Sequence, residues 1–444
     1  MILTPLWTDI LVWVLMFALT LWGVNISKSS QVKRQWNNIF KSKIAIISAI
    51  VLLFYLLFTL LDSVHFKFKT QTDSNQTPYQ GKIVSLLDVT FSHNLTNVER
   101  TYSAPFATHE YAKSIVVDEE GITKQVNLPL KYVSKDVSIL KESLWAIFVG
   151  LLIGVVLIAS HMWWRKKTST TNSDIPWATA YATFLTLIVT FTWLYLLSYH
   201  YHVLGTDKVG GDVLYHSLKS IRTGVLIGLL TTLIMLPLSI ILGVSAGFLG
   251  GWVDDIVQYI YTTLSSIPGV LLIAAGVLAM QVMMDNNPDW FESTLERSDL
   301  RMLFLIVILG ITSWTGLCRL IRAETLKISQ VEFVTAAKAF GVSKLTIIRR
   351  HIIPNLMHII LISVVLDFSG LVLAEAVLSY VGVGVDPTMH SWGNMINQAR
   401  LEMAREPMVW WSLFSAFIFM FVLVLAANLF SDRVQKVLDP RNKV

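Results

Sequence analysis

Residues 329–355 read SQVEFVTAAKAFGVSKLTIIRRHIIPN. Phe333, Ala336, Ala337 and Phe340 recur at helical spacing, which predicts a short helix. Ser329-x-x-Glu332 has the form of a capping box at its start, with a serine oxygen for the N3 amide and a glutamate reaching back. Gly341 stands where that helix should stop in a left-handed turn. Ser343 is placed to cap a second helix, expected to run to Ile353 ahead of Pro354. The expectation is a helix–turn–helix whose surface is shallow at Ala336 and Ala337, so that a partner can approach closely. By its residues alone it fits either an amphipathic interfacial helix or a docking helix for a motor protein.

The flanks decide its setting. A spanning helix needs about 20 mostly apolar residues. The windows 302–318 and 355–380 border the loop, and 10–26, 44–61, 144–164, 177–198, 223–253, 256–284 and 408–431 also qualify, giving nine expected spans. Hydrophobic residues make up 54% of the 444 and charged residues 15%. So few charges cannot cover so much apolar surface in water, which excludes a soluble enzyme, a disordered chain and a fibrous repeat. The net charge of +5 reads as basic residues pooled on the cytoplasmic side, not as nucleic-acid binding. Lys28, Lys33, Arg34, Lys41 and Lys43, then Arg165, Lys166 and Lys167, then Lys338, Lys344, Arg349 and Arg350, then Arg433, Lys436, Arg441 and Lys443 all fall inside if the N-terminus is outside and the C-terminus cytoplasmic. No basic residue precedes the first apolar segment, so it reads as a spanning helix and not as a cleaved signal. Cys318 is the only cysteine, which excludes a disulfide within the chain.

One polar stretch, 62–142, reads as a small β-rich extracytoplasmic domain. Strands are expected at Ser114–Asp118 and Gln125–Tyr132 around a turn at Glu119–Gly121, with a third in Gly81–Phe91. His109–Glu110 lacks the second histidine of a zinc motif, so no metal is expected. Asn75 and Asn94 fit the glycosylation pattern, which is short enough to arise by chance. The polar segment 205–212 precedes a helix and belongs at the outer mouth or in a capped loop. Three charges are the intramembrane candidates: Arg222, read as snorkelling to an interface, and Asp367 and Glu375, roughly 80° apart around one helix. Their readings are a polar cavity, a partner contact or satisfied structural hydrogen bonds.

The 329–355 loop resembles the EAA loop of ABC importer permeases, with Thr335 where the motif has glutamate, then Ala336, Ala337, Gly341 and the downstream His351-x-x-Pro354-Asn355. Gly205-Thr206-Asp207-Lys208-Val209-Gly210-Gly211-Asp212-Val213 is similar to the G-T-D-x-x-G-R-D-V signature of the C-type subunit of dipeptide and oligopeptide permeases, with Gly211 in place of arginine. Gly247–Asp254, Ala374–Gly384, Ser391-Trp392-Gly393 and Leu438–Arg441 follow the same group, so the resemblance covers about 205–444. It implies an all-α polytopic permease core whose loop residues Glu332, Thr335, Ala336, Ala337, Gly341 and Ser343 couple to an ATPase. It also implies an outer-mouth motif of Gly205, Thr206, Asp207, Gly210 and Asp212.

The implied partners are a second permease subunit, two ABC ATPase subunits holding ATP and magnesium, an extracytoplasmic substrate-binding protein and membrane lipid. The family has six helices, so the expected organisation is an extra helix in 1–27, a cytoplasmic segment and family-like first helix in 28–61, the outer domain in 62–142, two added helices in 143–200 and the core in 201–444. The setting is a bacterial inner membrane and the cargo a peptide or related solute. No G-x-x-x-x-G-K-[ST], dinucleotide loop or H-E-x-x-H occurs, so the chain is expected to hold no cofactor and perform no catalysis of its own. The rival readings are an ion-driven secondary transporter, which should show inverted repeats, and a non-transporting scaffold.

Overall fold

The computed structural model describes residues 2–26, 30–67, 83–117, 123–133, 138–168, 175–291 and 293–438. Its helices are α1 (Trp7–Ile26), α2 (Ser30–Phe40), α3 (Lys43–Asp62), α4 (Leu86–Thr90), α5 (Ser92–Thr96), α6 (Ile139–Lys167), α7 (Trp177–Leu197), α8 (Val213–Leu249), α9 (Gly251–Ser266), α10 (Gly269–Asp285), α11 (Thr294–Ser329), α12 (Glu332–Ala339), α13 (Lys344–Ile347), α14 (Ile353–Val381), α15 (Trp392–Glu402) and α16 (Trp411–Leu438). The strands are β1 (Ile2–Leu3), β2 (His65–Lys67), β3 (Ile83–Ser85), β4 (His109–Val117) and β5 (Thr123–Pro129).

Among the described residues seven helices are long and apolar enough to cross a membrane. The pair α9 and α10, bent by 87° at its break, is long and apolar enough only when taken together, as a broken span or a re-entrant loop, and Trp7–Leu21 is a shorter apolar helix. This is the polytopic helical fold expected. One window is corrected: 256–284 is not a single helix, because Ile267 is extended and Pro268 restarts the chain as the N-cap of α10. Ahead of it, Gly250 and Gly251, both at positive φ, end α8.

The chain divides into two compact units. The first comprises Met1–Pro5, Trp36–Gly224 and His390–Ala426. Here β1, β2 and β3 form one antiparallel sheet, and β4 and β5 a separate hairpin. The expected strands near 114 and 125 are present; the third is only Ile83–Ser85, because Ser85 caps α4 through a reciprocal Ser85–Asp88 capping box. The helices α6 and α7 form a tight pair. Ala146, Gly150 and Gly154 line the buried stripe of α6, and a Cβ at Gly154 would lie 2.4 Å from Leu185. Small residues at this spacing let two backbones approach inside a bilayer. In turn α7 meets α3 through Phe191, edge-on to Phe54 and Phe58.

The second unit comprises Leu6–Gln35, Val225–Met389 and Ala427–Val444. There α1 joins α11, where Thr8 donates its amide to Asp299 Oδ2 at 3.1 Å. Gly243 and Gly247 of α8 lie against the backbone of α11, with added Cβ atoms 2.8 Å from Cys318 O and 2.7 Å from Arg322 O. Gly228 accommodates the Phe368 ring of α14. The expected turn at Glu119–Gly121, Asp118, Gly81, the Asn75 pattern, Lys28 and the Asp439–Arg441 tail lie outside the described residues.

Candidate functional site

The 329–355 segment folds as a hairpin on the second unit. Val334 of α12 and Ile347 and Ile352 beyond the turn are buried in a core with Trp314, Leu317 and Ile321 of α11. Burying one apolar stripe fixes the hairpin and turns its other face outward. Glu332, Thr335, Ala336, Gly341 and Ser343 are exposed and Ala337 is half-buried. Beside them Phe340 is 86% and Leu345 76% exposed, with Phe333 and Val342 also outward. Gly341 sits at φ +73°, and Val342 and Gly341 donate their amides to Ala337 O at 3.1 Å and Lys338 O at 3.0 Å. Those two bonds are a Schellman closure, in which glycine takes the left-handed position. Ser343 Oγ accepts the Thr346 amide at 3.4 Å, as its placement before α13 requires.

Two local expectations are corrected. Ser329 does not cap α12, because α11 extends to Ser329 itself; its hydroxyl donates back to Leu326 O, and Val331 is the N-cap. Pro354 does not end a helix. A π-turn at Ile348–Ile352 carries α13 into α14, and the wider turn accommodates the ring and its missing N–H.

In the first unit, 205–212 is a braced loop. Gly205 and Gly210 have φ of +73° and +77°. Asp207 Oδ1 accepts the amides of Val209 at 3.0 Å and Gly211 at 2.8 Å. Thr206 Oγ1 accepts from Ser103 N at 2.6 Å and donates to Thr101 O at 2.9 Å. Asp212 takes the Tyr215 amide at 3.1 Å at the start of α8, and His202 Nδ1 lies 2.8 Å from its other oxygen. Glu99 N donates to Gly210 O at 3.0 Å, and a Cβ at Gly210 would lie 1.8 Å from Glu99 O. The loop is stitched to the segment 99–103, and its glycines are there for close approach.

The intramembrane charges separate. Arg222 is buried and donates to Ser63 Oγ at 3.4 Å, so the expected snorkelling is corrected: its helix position faces the unit's interior. Glu375 is buried and accepts from Ser379 Oγ at 2.7 Å. Asp367 is half-buried on the same helix, and its Oδ2 has no hydrogen-bond partner.

Several polar groups were not singled out by their sequence. Lys219 of α8 contacts Asp88 and lies 3.8 Å from Asp62, and Tyr215 donates to Asp88 at 2.7 Å. Burial opposes the Asp88 charge, but the ammonium and these hydrogen bonds prevail and hold its carboxyl at about 2. His390 Nδ1 lies 2.9 Å from His216 Nδ1; burial, with help from the neighbouring His216, holds His390 well below the usual histidine range. An added Cβ at Gly211 would meet His216 Nε2 at 2.5 Å. Arg322 of α11 makes a bidentate pair with Asp254 of α9, its Nη2 at 2.7 Å. Asp254 stands in the Gly247–Asp254 turn, the one signal that pointed there.

Fold and site together define a polytopic helical membrane protein that displays an exposed helical hairpin between two spans. The family described as binding-protein-dependent transport system inner membrane component matches residues 239–444. The dipeptide transport system permease protein DppC of Bacillus subtilis is 30% identical over 240 residues, 54% of this chain and 69% of that protein. The oligopeptide transport system permease protein OppC of Haemophilus influenzae is 31% identical over 55% of this chain and 71% of that one. The glutathione transport system permease protein GsiD of Pectobacterium atrosepticum is 31% identical over 54% and 73%. The chain therefore belongs to the dipeptide and oligopeptide branch of the binding-protein-dependent permeases, and is a multi-pass inner-membrane protein. Among solved structures, an inward-facing MetNI methionine ABC transporter aligns with a TM-score of 0.41 at 15% identity, covering 51% of this chain and 97% of that one.

Proposed function

We propose that this chain is the translocating permease subunit of an ABC importer for peptides or a related small solute. The observation that carries the reading is the exposed apolar tip of Phe333, Phe340 and Leu345 on a hairpin anchored by Val334, Ile347 and Ile352. An apolar patch presented to water on a rigid mount needs a partner. That partner is an ABC ATPase, which holds the ATP and magnesium and docks on Glu332, Thr335, Ala336, Ala337, Gly341 and Ser343. ATP drives the switch only by favouring one of two transport conformations.

A second permease subunit completes the path. The loop of Gly205, Thr206, Asp207, Gly210 and Asp212 borders its outer mouth, and the outer domain receives a substrate-binding protein. Pairing of Ile2–Leu3 with His65–Lys67 supports an outside N-terminus, since it sets the start of the chain in one sheet with the outer domain. By the same alternation of spans the C-terminus is cytoplasmic.

The test is co-purification with candidate ATPase subunits, followed by reconstituted uptake. Stoichiometric ATPase and ATP-dependent uptake are expected. A chain that purifies without ATPase and takes up solute on an ion gradient would overturn the reading. ATPase binding without uptake would instead select the scaffold.

A further inference from the structure

At the end of α6 remote from the outer domain, the α6–α7 pair carries a cationic cluster that the transport reading leaves unused. From Leu144 to Arg165 the helix rises roughly 32 Å, about the thickness of the hydrocarbon core, so Arg165 lies at headgroup depth. The Arg165 guanidinium lies 4.2 Å over the Trp177 ring of α7, and its Nη1 is 3.5 Å from the Tyr181 hydroxyl. That hydroxyl also meets His161 Nδ1 at 3.0 Å. Lys166 and Lys167 follow, exposed. Among the described residues no carboxylate pairs with any of the three cations. Across residues 143–198 the sequence sets those three cations against one carboxylate, Asp174. The neighbouring aromatic side chains face outward, Trp163 at 66% and Trp164 at 58% exposure.

We propose that this cluster is a binding site for the phosphodiester headgroup of an anionic phospholipid. Stacking on Trp177 and the Tyr181 contact orient the guanidinium before a ligand arrives, so little side-chain entropy remains to be lost on binding. A planar guanidinium then grips two phosphate oxygens, while Lys166 and Lys167 add charge at the surface. Trp163 and Trp164 occupy the interfacial belt beside the acyl chains, which selects a lipid over a soluble phosphate. Through this site the α6–α7 pair is tied to the acidic lipid of one leaflet.

The experiment uses the full-length protein in nanodiscs of phosphatidylcholine with phosphatidylglycerol, with retained lipid counted by native mass spectrometry after mild delipidation. Wild type should retain phosphatidylglycerol about tenfold over phosphatidylcholine. Arg165→Gln should remove most of that preference and Arg165→Lys about half, because lysine keeps the charge without the stack. Lys436→Gln, one cation lost at the end of α16, should leave the preference unchanged. Equal loss in Arg165→Gln and Lys436→Gln, or no preference in wild type, overturns the proposal. So does equal displacement of the lipid by inorganic phosphate, which would make the site one for a soluble anion. Intact far-ultraviolet circular dichroism in Arg165→Gln separates a lost site from a lost fold.

Discussion

Replacing Gly210 by alanine should unseat the 205–212 loop, and the structure sets the size of the effect. The new methyl would lie 1.8 Å from Glu99 O, 2.3 Å from its carbonyl carbon and 2.9 Å from its Cα, so the Glu99 backbone must retreat by roughly 1.6 Å to reach an ordinary 3.4 Å contact. That movement breaks the 3.0 Å bond from Glu99 N to Gly210 O. It also disturbs the Glu99 carboxylate, which accepts the amides of Lys131 at 3.0 Å and Tyr132 at 2.8 Å. Left-handed backbone costs alanine about 1 kcal/mol. Lost hydrogen bonds and overpacking add about 2–3 kcal/mol. The matched control is Gly382→Ala: Gly382 has φ +88°, but its Cβ would meet nothing within 4 Å, so only the backbone term of about 1 kcal/mol remains. The difference of about 2–3 kcal/mol is roughly a hundredfold in the unfolding equilibrium. The assay is reversible denaturation of the detergent-solubilised protein, with limited proteolysis within residues 83–133 as a local readout. Equal losses in the two variants would refute the steric reasoning.

Other outcomes follow from the same contacts. Gly341→Val meets open space, so its cost is confined to the turn; ATP hydrolysis by the reconstituted complex should persist while uptake falls at least tenfold, and unchanged uptake would refute the coupling role. Gly154→Leu forces the methyl-bearing chain into Leu185 and should part α6 from α7, read as a lost crosslink between cysteines placed on the two helices, whereas Gly316→Ala, in open space, should keep its stability. Asp254→Asn and Arg322→Gln should each lower stability by about 1 kcal/mol and together by little more, because each removes the same partly exposed pair. His390 is held neutral in the fold, so the unfolded chain takes up the proton first: stability should be full above about pH 6.5 and fall as pH drops below it. His390→Gln should flatten that decline in thermal melts between pH 8 and 5.

The spans were legible because apolar runs of sufficient length have few other uses, and the hairpin's turn because Gly341 has one physical reason to be there. The capping box failed because the same serine can end one helix or start the next; only the length of α11 decides between them. The break in α9–α10 was visible as Pro268–Gly269, but a proline in a membrane helix can kink or divide it, and the 87° bend is not encoded by that dipeptide alone. Lys219 with Asp88 and His216 with His390 were illegible for a different reason. Their partners lie 131 and 174 residues apart, and a single sequence carries no record of such pairs. Arg222 was misread because nothing local says which way a residue near a helix end faces.

The π-turn before α14 has a mechanical consequence. From Lys344 to Val381 the helical backbone is unbroken, roughly 55 Å at about 1.5 Å per residue. A push imposed at Leu345 along the axis therefore meets no break: the rod must tilt or slide as a whole, and its far end at Gly382 sweeps an arc set by where neighbouring helices act as fulcrum. The one place where its winding is loose is that single wide turn, so torque is absorbed at Ile348–Ile352 and thrust is passed on.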